Sequence, residues 1–255
     1  MIYGETSTEF CIMASCDAKY LYDHAKGLVS SCALAKNNVH IHVTNPTDKE
    51  HGYLEYLKAG YSMMYSEGIM TTSYDTIDIS TYNKEQQKTF YACNRFIVAP
   101  DIVKCDVLIL DVDCYLMEHI DPIDCNIGLF LRENLIVKEW KGLAGRVAAG
   151  ALYCSINHID FMLYVKNFIL NNKLDWFLDQ VALYKAYKEF PDKRYYTFDN
   201  TFMDWDFKPK TKIWTGKGPR KSSNAIYGNK HKEFKRKFIL KEEDYFNEKG
   251  TLTST

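Results

Sequence analysis

Asp111-Val112-Asp113 is the stretch whose residue types and spacing most directly suggest chemistry. It follows four apolar residues, Val107-Leu108-Ile109-Leu110, so two carboxylates stand where a buried strand ends. An all-apolar strand reads as central and parallel. The carboxyl edge of such a sheet is where α/β proteins bind their ligands. In an extended segment side chains repeat with a period of two, which would turn both carboxylates to one side. Two hard oxygen ligands suit a divalent cation, Mn²⁺ or Mg²⁺, with substrate phosphates filling its other positions. Such a cation neutralises charge on a leaving diphosphate. The alternative reading is a surface turn that happens to carry two acids.

A second candidate lies downstream. Gly216-Lys217-Gly218-Pro219-Arg220-Lys221 sits in a basic stretch, Lys208 to Lys237, with eleven Lys or Arg against the single acid Glu233. Glycines permit close backbone approach. Lys217, Arg220 and Lys221 supply charge-assisted donors for a diphosphate. A solvated basic loop, or a patch for an anionic membrane, is the competing reading. Other residues are less telling. His40 and His42 share one strand face and read as sheet-surface residues before they read as metal ligands. His119 and His158 read as structural. Asp204-Trp205-Asp206 places acids beside a ring, and Trp205 or Trp214 is suited either to stacking on a sugar or to core packing.

The elements that must position these residues follow from periodicity. Residues 10–15 read as a buried strand, 17–36 as a helix, and 39–44 as a second strand closed by Asn45-Pro46. Residues 49–60 read as a helix, 74–79 as a third strand and 84–98 as a helix ending before Pro100. Residues 106–110 are then the fourth strand. This alternation implies an α/β sheet with right-handed crossovers. Beyond residue 113, strands over 126–132, 147–155 and 194–198 and helices over 160–171 and 175–190 are expected. The fold class is therefore α/β, a single Rossmann-like domain with a mostly parallel central sheet and a smaller second sheet. The domain is expected over residues 1–240, with a frayed polar tail over 241–255.

Composition narrows the function classes. The chain has 255 residues, 46% of them hydrophobic and 25% charged, with a net charge of −1. It is neither disordered nor a polyelectrolyte that coats nucleic acid, so no nucleic-acid partner is expected. No apolar run reaches the roughly 18–20 residues that span a bilayer. The N-terminus lacks a basic-then-apolar leader pattern. Eight cysteines are scattered without a Cys-x-x-Cys pair, which reads as buried, reduced thiols in a cytoplasmic protein.

An apolar strand ending in Asp-x-Asp occurs in two enzyme classes. Haloacid-dehalogenase-like phosphatases carry it on the first strand, followed by a small pair such as Gly-Thr. Here it is on the fourth strand and is followed by Cys114-Tyr115. The other class is the nucleotide-sugar glycosyltransferases of the GT-A fold. Between residues 10 and 221 the sequence resembles glycosyltransferase family 8, the glycogenin and bacterial galactosyltransferase group. Five segments carry the resemblance: residues 14–20 (ASCDAKY), 91–95 (YACNR), 111–113 (DVD), 147–153 (VAAGALY) and 178–183 (LDQVAL). A sugar-phosphate nucleotidylyltransferase would share the architecture, but no Gly-rich basic loop follows the first strand.

The resemblance implies roles residue by residue. Ala14 and Ser15 line the nucleotide, Asp17 accepts the uracil N–H, and Tyr20 stacks on the base. Arg95 pairs with donor groups near the metal. Asp111 and Asp113 hold Mn²⁺ or Mg²⁺, and Asp111 and Val112 also touch the nucleotide. Ala149 and Gly150 line the sugar. Asp179 and Gln180 stand beside the anomeric carbon as the catalytic pair. Lys217, Arg220 and Lys221 grip the diphosphate. Three positions depart from the family pattern: Ile213 replaces its third metal ligand, a His, Ala149 its sugar-strand Asn, and Val181 its second Asp. The implied reaction moves glucose or galactose from a UDP-sugar to an acceptor hydroxyl, with retention. The acceptor is an unidentified glycan or small molecule. The short remainder of the chain implies a shallow acceptor groove, or one completed by a second subunit in a homodimer. Water then competes, and slow UDP-sugar hydrolysis is expected.

Overall fold

Strand β2 (Cys11–Cys16) is buried along its whole length, as is β5 (Val107–Leu110). Alternate residues of each strand face opposite sides of the sheet. Ile12, Ala14, Leu108 and Leu110 therefore enter one core, and Cys11, Met13, Val107 and Ile109 enter the other. The first core is closed by α2 (Lys26–Leu34) and α3 (Asp48–Met64), through Leu28, Tyr53 and Leu57. The second is closed by α4 (Lys84–Ile102), α5 (Ile159–Leu170) and α6 (Leu178–Glu189), through Phe96, Phe161 and Leu183. A sheet with helices on both faces needs apolar strands throughout, which explains the unbroken run before Asp111. The computed structural model describes residues 1–132, 143–216 and 223–248.

The main sheet has eight strands in the order β1-β4-β3-β2-β5-β8-β7-β9. The remaining members are β1 (Ile2–Tyr3), β3 (Asn38–Thr44), β4 (Met70–Asp75), β7 (Ile127–Leu131), β8 (Val147–Cys154) and β9 (Tyr195–Thr197). Strands β4, β3, β2, β5, β7 and β9 point one way, and only β1 and β8 run against them. The sheet is thus mostly parallel, and the carboxyl ends of β2, β5 and β7 share one edge. A second, three-stranded sheet joins β10 (Met203–Asp204), β11 (Ile213–Thr215) and β6 (Cys114–Leu116). Strand β6 begins directly after Asp113, so the acidic turn joins the two sheets.

Helix starts follow from local chemistry. Thr47 and Glu50 form a reciprocal capping box on α3, and Asn83 and Gln86 form another on α4. Other elements depart from the sequence expectations. The third strand is Met70–Asp75, not 74–79. Its polar sequence MTTSYD is paired on both edges, by β3 and β1, and Ser73 is buried as a hydrogen-bond partner of His40 and His42. The alternating residues that follow, Ile77 and Ile79, pack on the core from outside the strand.

Helix α4 continues through Pro100 to Ile102. Proline forfeits one backbone bond, but Val98, Ala99 and Ile102 are buried and the Thr6 N–H binds the Ile102 carbonyl at 2.9 Å. Packing overrides the local signal. Residues 242–248 are not frayed. They form a helix whose Tyr245 and Phe246 rings lie 5.7 and 6.1 Å from Tyr56. Sequence patterning also passes over the helix Ala225–Lys237, numbered α7 here, because its basic residues mask Tyr227 and Phe234 on its buried side.

Candidate functional site

Strand β5 stops at Leu110, and the next residues turn rather than extend: the Cys114 N–H donates to the Asp111 carbonyl at 3.0 Å. The period-two argument for the two carboxylates therefore does not hold. The Asp111 side chain is 35% exposed, whereas Asp113 is buried at 4%. The turn is fixed from outside by Tyr227 of α7, whose hydroxyl donates to the Asp113 carbonyl at 2.9 Å. Sequence reasoning missed Tyr227; it lies more than a hundred residues away, with no spacing signal.

Arg95 is the hub of the site. It projects from the inner face of α4, and its side chain is only 6% exposed. One terminal nitrogen lies 2.6 Å from Asp111 Oδ1. The other donates to the Ala149 carbonyl at 2.9 Å and stands 3.5 Å from Asp179 Oδ2. Its guanidinium also covers the Phe96 ring at 4.6 Å. A planar fork with fixed donors suits such multiple engagement. Ala149 thus contributes its backbone oxygen, which is how a residue with no polar side chain can serve the site.

Gly150 leaves space beside the carboxylate. A Cβ added there would meet Asp111 Oδ2 at 3.4 Å and Met203 Cε and Sδ at 3.6 Å. An alanine methyl fits at ordinary contact distance, but a branched side chain would fill the hollow against Oδ2. Gly150→Val is expected to lower activity at least about tenfold, while Tm stays within about 4 °C, roughly 1 kcal/mol for a chain of this size. Differential scanning fluorimetry and turnover on the same samples test it. Equal activity in both proteins would mean the hollow is not used.

Asp179 and Gln180 sit in the first turn of α6, after Phe177 at φ 73°. Asp179 Oδ1 accepts the Gln180 N–H at 2.8 Å, and Gln180 Oε1 accepts the Gly145 N–H at 3.0 Å. Asp111, Arg95, Ala149, Gly150 and Asp179 therefore form one cluster, with Gln180 tied to the segment leading into β8. Two cysteines line it. Burial, with the Asp111 charge next, pushes the Cys114 thiol up. Burial and then Asp179 do the same to Cys93. Both are inert at neutral pH, since only the thiolate is nucleophilic.

The remaining sequence candidates are placed as follows. Asp17 caps the helix that follows β2, its Oδ1 accepting the Tyr20 N–H at 2.8 Å. Tyr20 is 39% exposed, and its ring lies 5.1 Å from that of His24. Ala14, Ser15 and Val112 are buried. Lys217, Arg220 and Lys221 lie outside the described residues. His40 and His42 are fully buried, not on the sheet surface, and are hydrogen-bonded to Thr71 and Ser73. His119 contacts Asp121 and the Ala35 carbonyl, and His158 contacts Lys193.

Trp214 is a core residue that donates its indole N–H to the Lys208 carbonyl at 2.9 Å. Asp204 is spent on a turn, accepting the Asp206 and Lys208 N–H groups. All eight cysteines are buried and unbridged. No helix among the described residues is long and apolar enough to cross a membrane.

The donor set bears on the expected metal. Among the described residues no group of three His, Cys, Asp or Glu is gathered to hold an ion, and Ile213 is buried in β11. Asp111 and Asp113 fit a hard cation that takes its other ligands from phosphate and water, not an all-protein cage. Among the described residues Arg95 is shared by two acids, Asp111 and Asp179.

The architecture has counterparts among solved structures. The apo form of the glycosyltransferase GlyE from Streptococcus pneumoniae TIGR4 superposes with a TM-score of 0.57 at 12% identity, over 98% of this chain and 64% of that one. A second GlyE structure gives 0.54 at 12% identity, over 96% and 63%. The chain thus spans a little under two thirds of the length of these neighbours. No family model matches it, and no curated protein matches it in sequence. The chain shares its fold with these structures.

Proposed function

We propose that this protein is a metal-dependent GT-A glycosyltransferase that moves glucose or galactose from a UDP-sugar to an acceptor hydroxyl, with retention. The observation that carries the reading is Arg95, a buried guanidinium joining the first carboxylate of the acidic turn to Asp179 and the Ala149 carbonyl. That cluster stands at the carboxyl edge of a parallel sheet, where ligands bind. The resemblance to family 8 and the likeness to GlyE support the same assignment.

Asp111 and Asp113 would hold the divalent cation, which offsets charge on the departing diphosphate. Arg95 fixes the Asp111 carboxylate through Oδ1, leaving Oδ2 beside the Gly150 hollow. Gly150 keeps room for the donor. The bond from the anomeric carbon to the diphosphate oxygen breaks, and its electron pair leaves with UDP. The acceptor oxygen bonds to the same face, and its proton passes to the leaving phosphate oxygen. Asp179 is engaged by Arg95 and by the Gln180 N–H, which favours this front-face course over a covalent intermediate. An inverted product anomer by NMR would refute retention.

Thermal unfolding with UDP, GDP or CMP, each with and without Mn²⁺, tests the donor reading. Ligand at about a hundred times its Kd adds about 2.7 kcal/mol, a Tm rise of roughly 5–10 °C here. The expected rise occurs with UDP and Mn²⁺ together and is lost in Asp113→Ala. No rise with any nucleotide, alongside phosphate release from a simple ester, would favour the phosphatase reading.

A further inference from the structure

Arg132 stands at the end of β7, on the sheet edge that also carries Asp111, because β5 and β7 both run against β8. Its N–H donates to the Arg146 carbonyl at 2.8 Å. Its guanidinium lies 4.7 Å from the centre of the Trp205 ring and 5.5 Å from that of Phe130. The two rings themselves meet edge to face at 4.9 Å. Unlike Arg95, which has two carboxylates, Arg132 is paired with no acid among the described residues, and burial alone perturbs it.

A half-buried cation with no counter-ion among the described residues has lost hydration and gained no Coulomb partner from them. The aromatic faces offset part of that loss. They also hold the guanidinium plane still, so that its N–H edge is preorganised for two parallel bonds to an anion. Strand β10 connects this platform to the carboxylate cluster. Met203 borders the Gly150 hollow, and Trp205 follows two residues later, in the bend that ends the strand. The platform is therefore two residues along the chain from the side chain that borders the hollow.

We propose that Arg132, held against Trp205, receives an anionic group of the acceptor, a carboxylate or a phosphate, so that the preferred acceptor is an acidic sugar. This rests on the glycosyltransfer reading above. Trp205 is then the support for the guanidinium and not a free platform for a neutral ring.

The test is UDP release from UDP-glucose and UDP-galactose with Mn²⁺, with neutral methyl hexosides, hexuronic acids or hexose phosphates as acceptors. Acidic acceptors are expected to accelerate release at least tenfold more than neutral ones. In Arg132→Gln the KM for the acidic acceptor should rise at least tenfold while the KM for the UDP-sugar stays the same. Arg132→Lys, which keeps the charge but not the fork, should lie between the two. A raised KM for the UDP-sugar instead would move the anion to the donor and overturn the proposal. Equal acceleration by neutral and acidic acceptors would overturn it while leaving glycosyl transfer standing. No UDP release from any donor would remove the glycosyltransfer reading and the proposal together. Circular dichroism of both variants checks that the fold is kept.

Discussion

On the proposed glycosyltransfer reading, Asp111→Asn is expected to lower turnover of the UDP-sugar by about 10²–10³-fold, the loss typical of one electrostatic group at a reacting centre. The substitution keeps the shape and removes the charge. It takes away the proposed hard ligand for a cation and the partner of Arg95 at 2.6 Å. The stability cost is smaller. Breaking a fully buried pair costs about 3–5 kcal/mol, but the Asp111 side chain is one-third exposed, at 35%, and Asp179 remains 3.5 Å from Arg95. Solvent screening reduces the cost to about 1–2 kcal/mol, a Tm fall of roughly 2–8 °C.

Activity and stability should therefore separate. Adding Arg95→Met to Asp111→Asn also takes the partner from Asp179 and from the Ala149 carbonyl, so the double variant should lose further Tm without recovering turnover. Kinetics and thermal melts on the wild type and the two variants decide it. Full activity in Asp111→Asn would remove the acidic turn from the chemistry.

The parts of this fold that were legible in the sequence are those where one physical effect dominates. Strands buried on both faces must be apolar throughout, so Val107–Leu110 and Cys11–Cys16 announce themselves. Capping residues mark the starts of α3 and α4. What stayed hidden depends on contacts distant in the chain. The polar strand Met70–Asp75 is stable because β1 and β3 pair with both of its edges. Helix α7 is strongly basic and is held by Tyr227 and Phe234 against Tyr115. At the site, residue type and spacing pointed to Asp111, because few residues serve as cation ligand, while Arg95 and Asp179 came only with the resemblance to family 8. The orientation of the two carboxylates was not legible. It depends on a turn at 111–114 and on a hydroxyl from Tyr227, neither of which leaves a periodic trace. Arg132 was equally silent, since its meaning lies in its contact with Trp205, about seventy residues away in the chain.

Acid is expected to destabilise the protein through His40. His40 bonds Thr71 Oγ1 through Nδ1 and Ser73 Oγ through Nε2, each at 2.7 Å. Ser73 continues to His42 Nδ1 at 2.8 Å, and His42 Nε2 faces Asp75 Oδ1 at 3.3 Å. Burial, then the charges of His42 and Lys58, pulls the His40 pKa down to about 3. The unfolded chain binds this proton near pH 6.5. Between those values the unfolded state carries more protons, so stability rises with pH. The contribution is complete above about pH 6.5 and is lost progressively as pH falls toward 3. At pH 4.5 the loss is about 2–3 kcal/mol, from two pH units at 1.36 kcal/mol each. His40→Gln keeps a donor and an acceptor for Thr71 and Ser73 but cannot titrate. Urea unfolding at pH 7 and pH 4.5 should show wild-type stability falling by that amount more than the variant's. Parallel falls in the two proteins would mean that His40 is already free to protonate in the folded sheet.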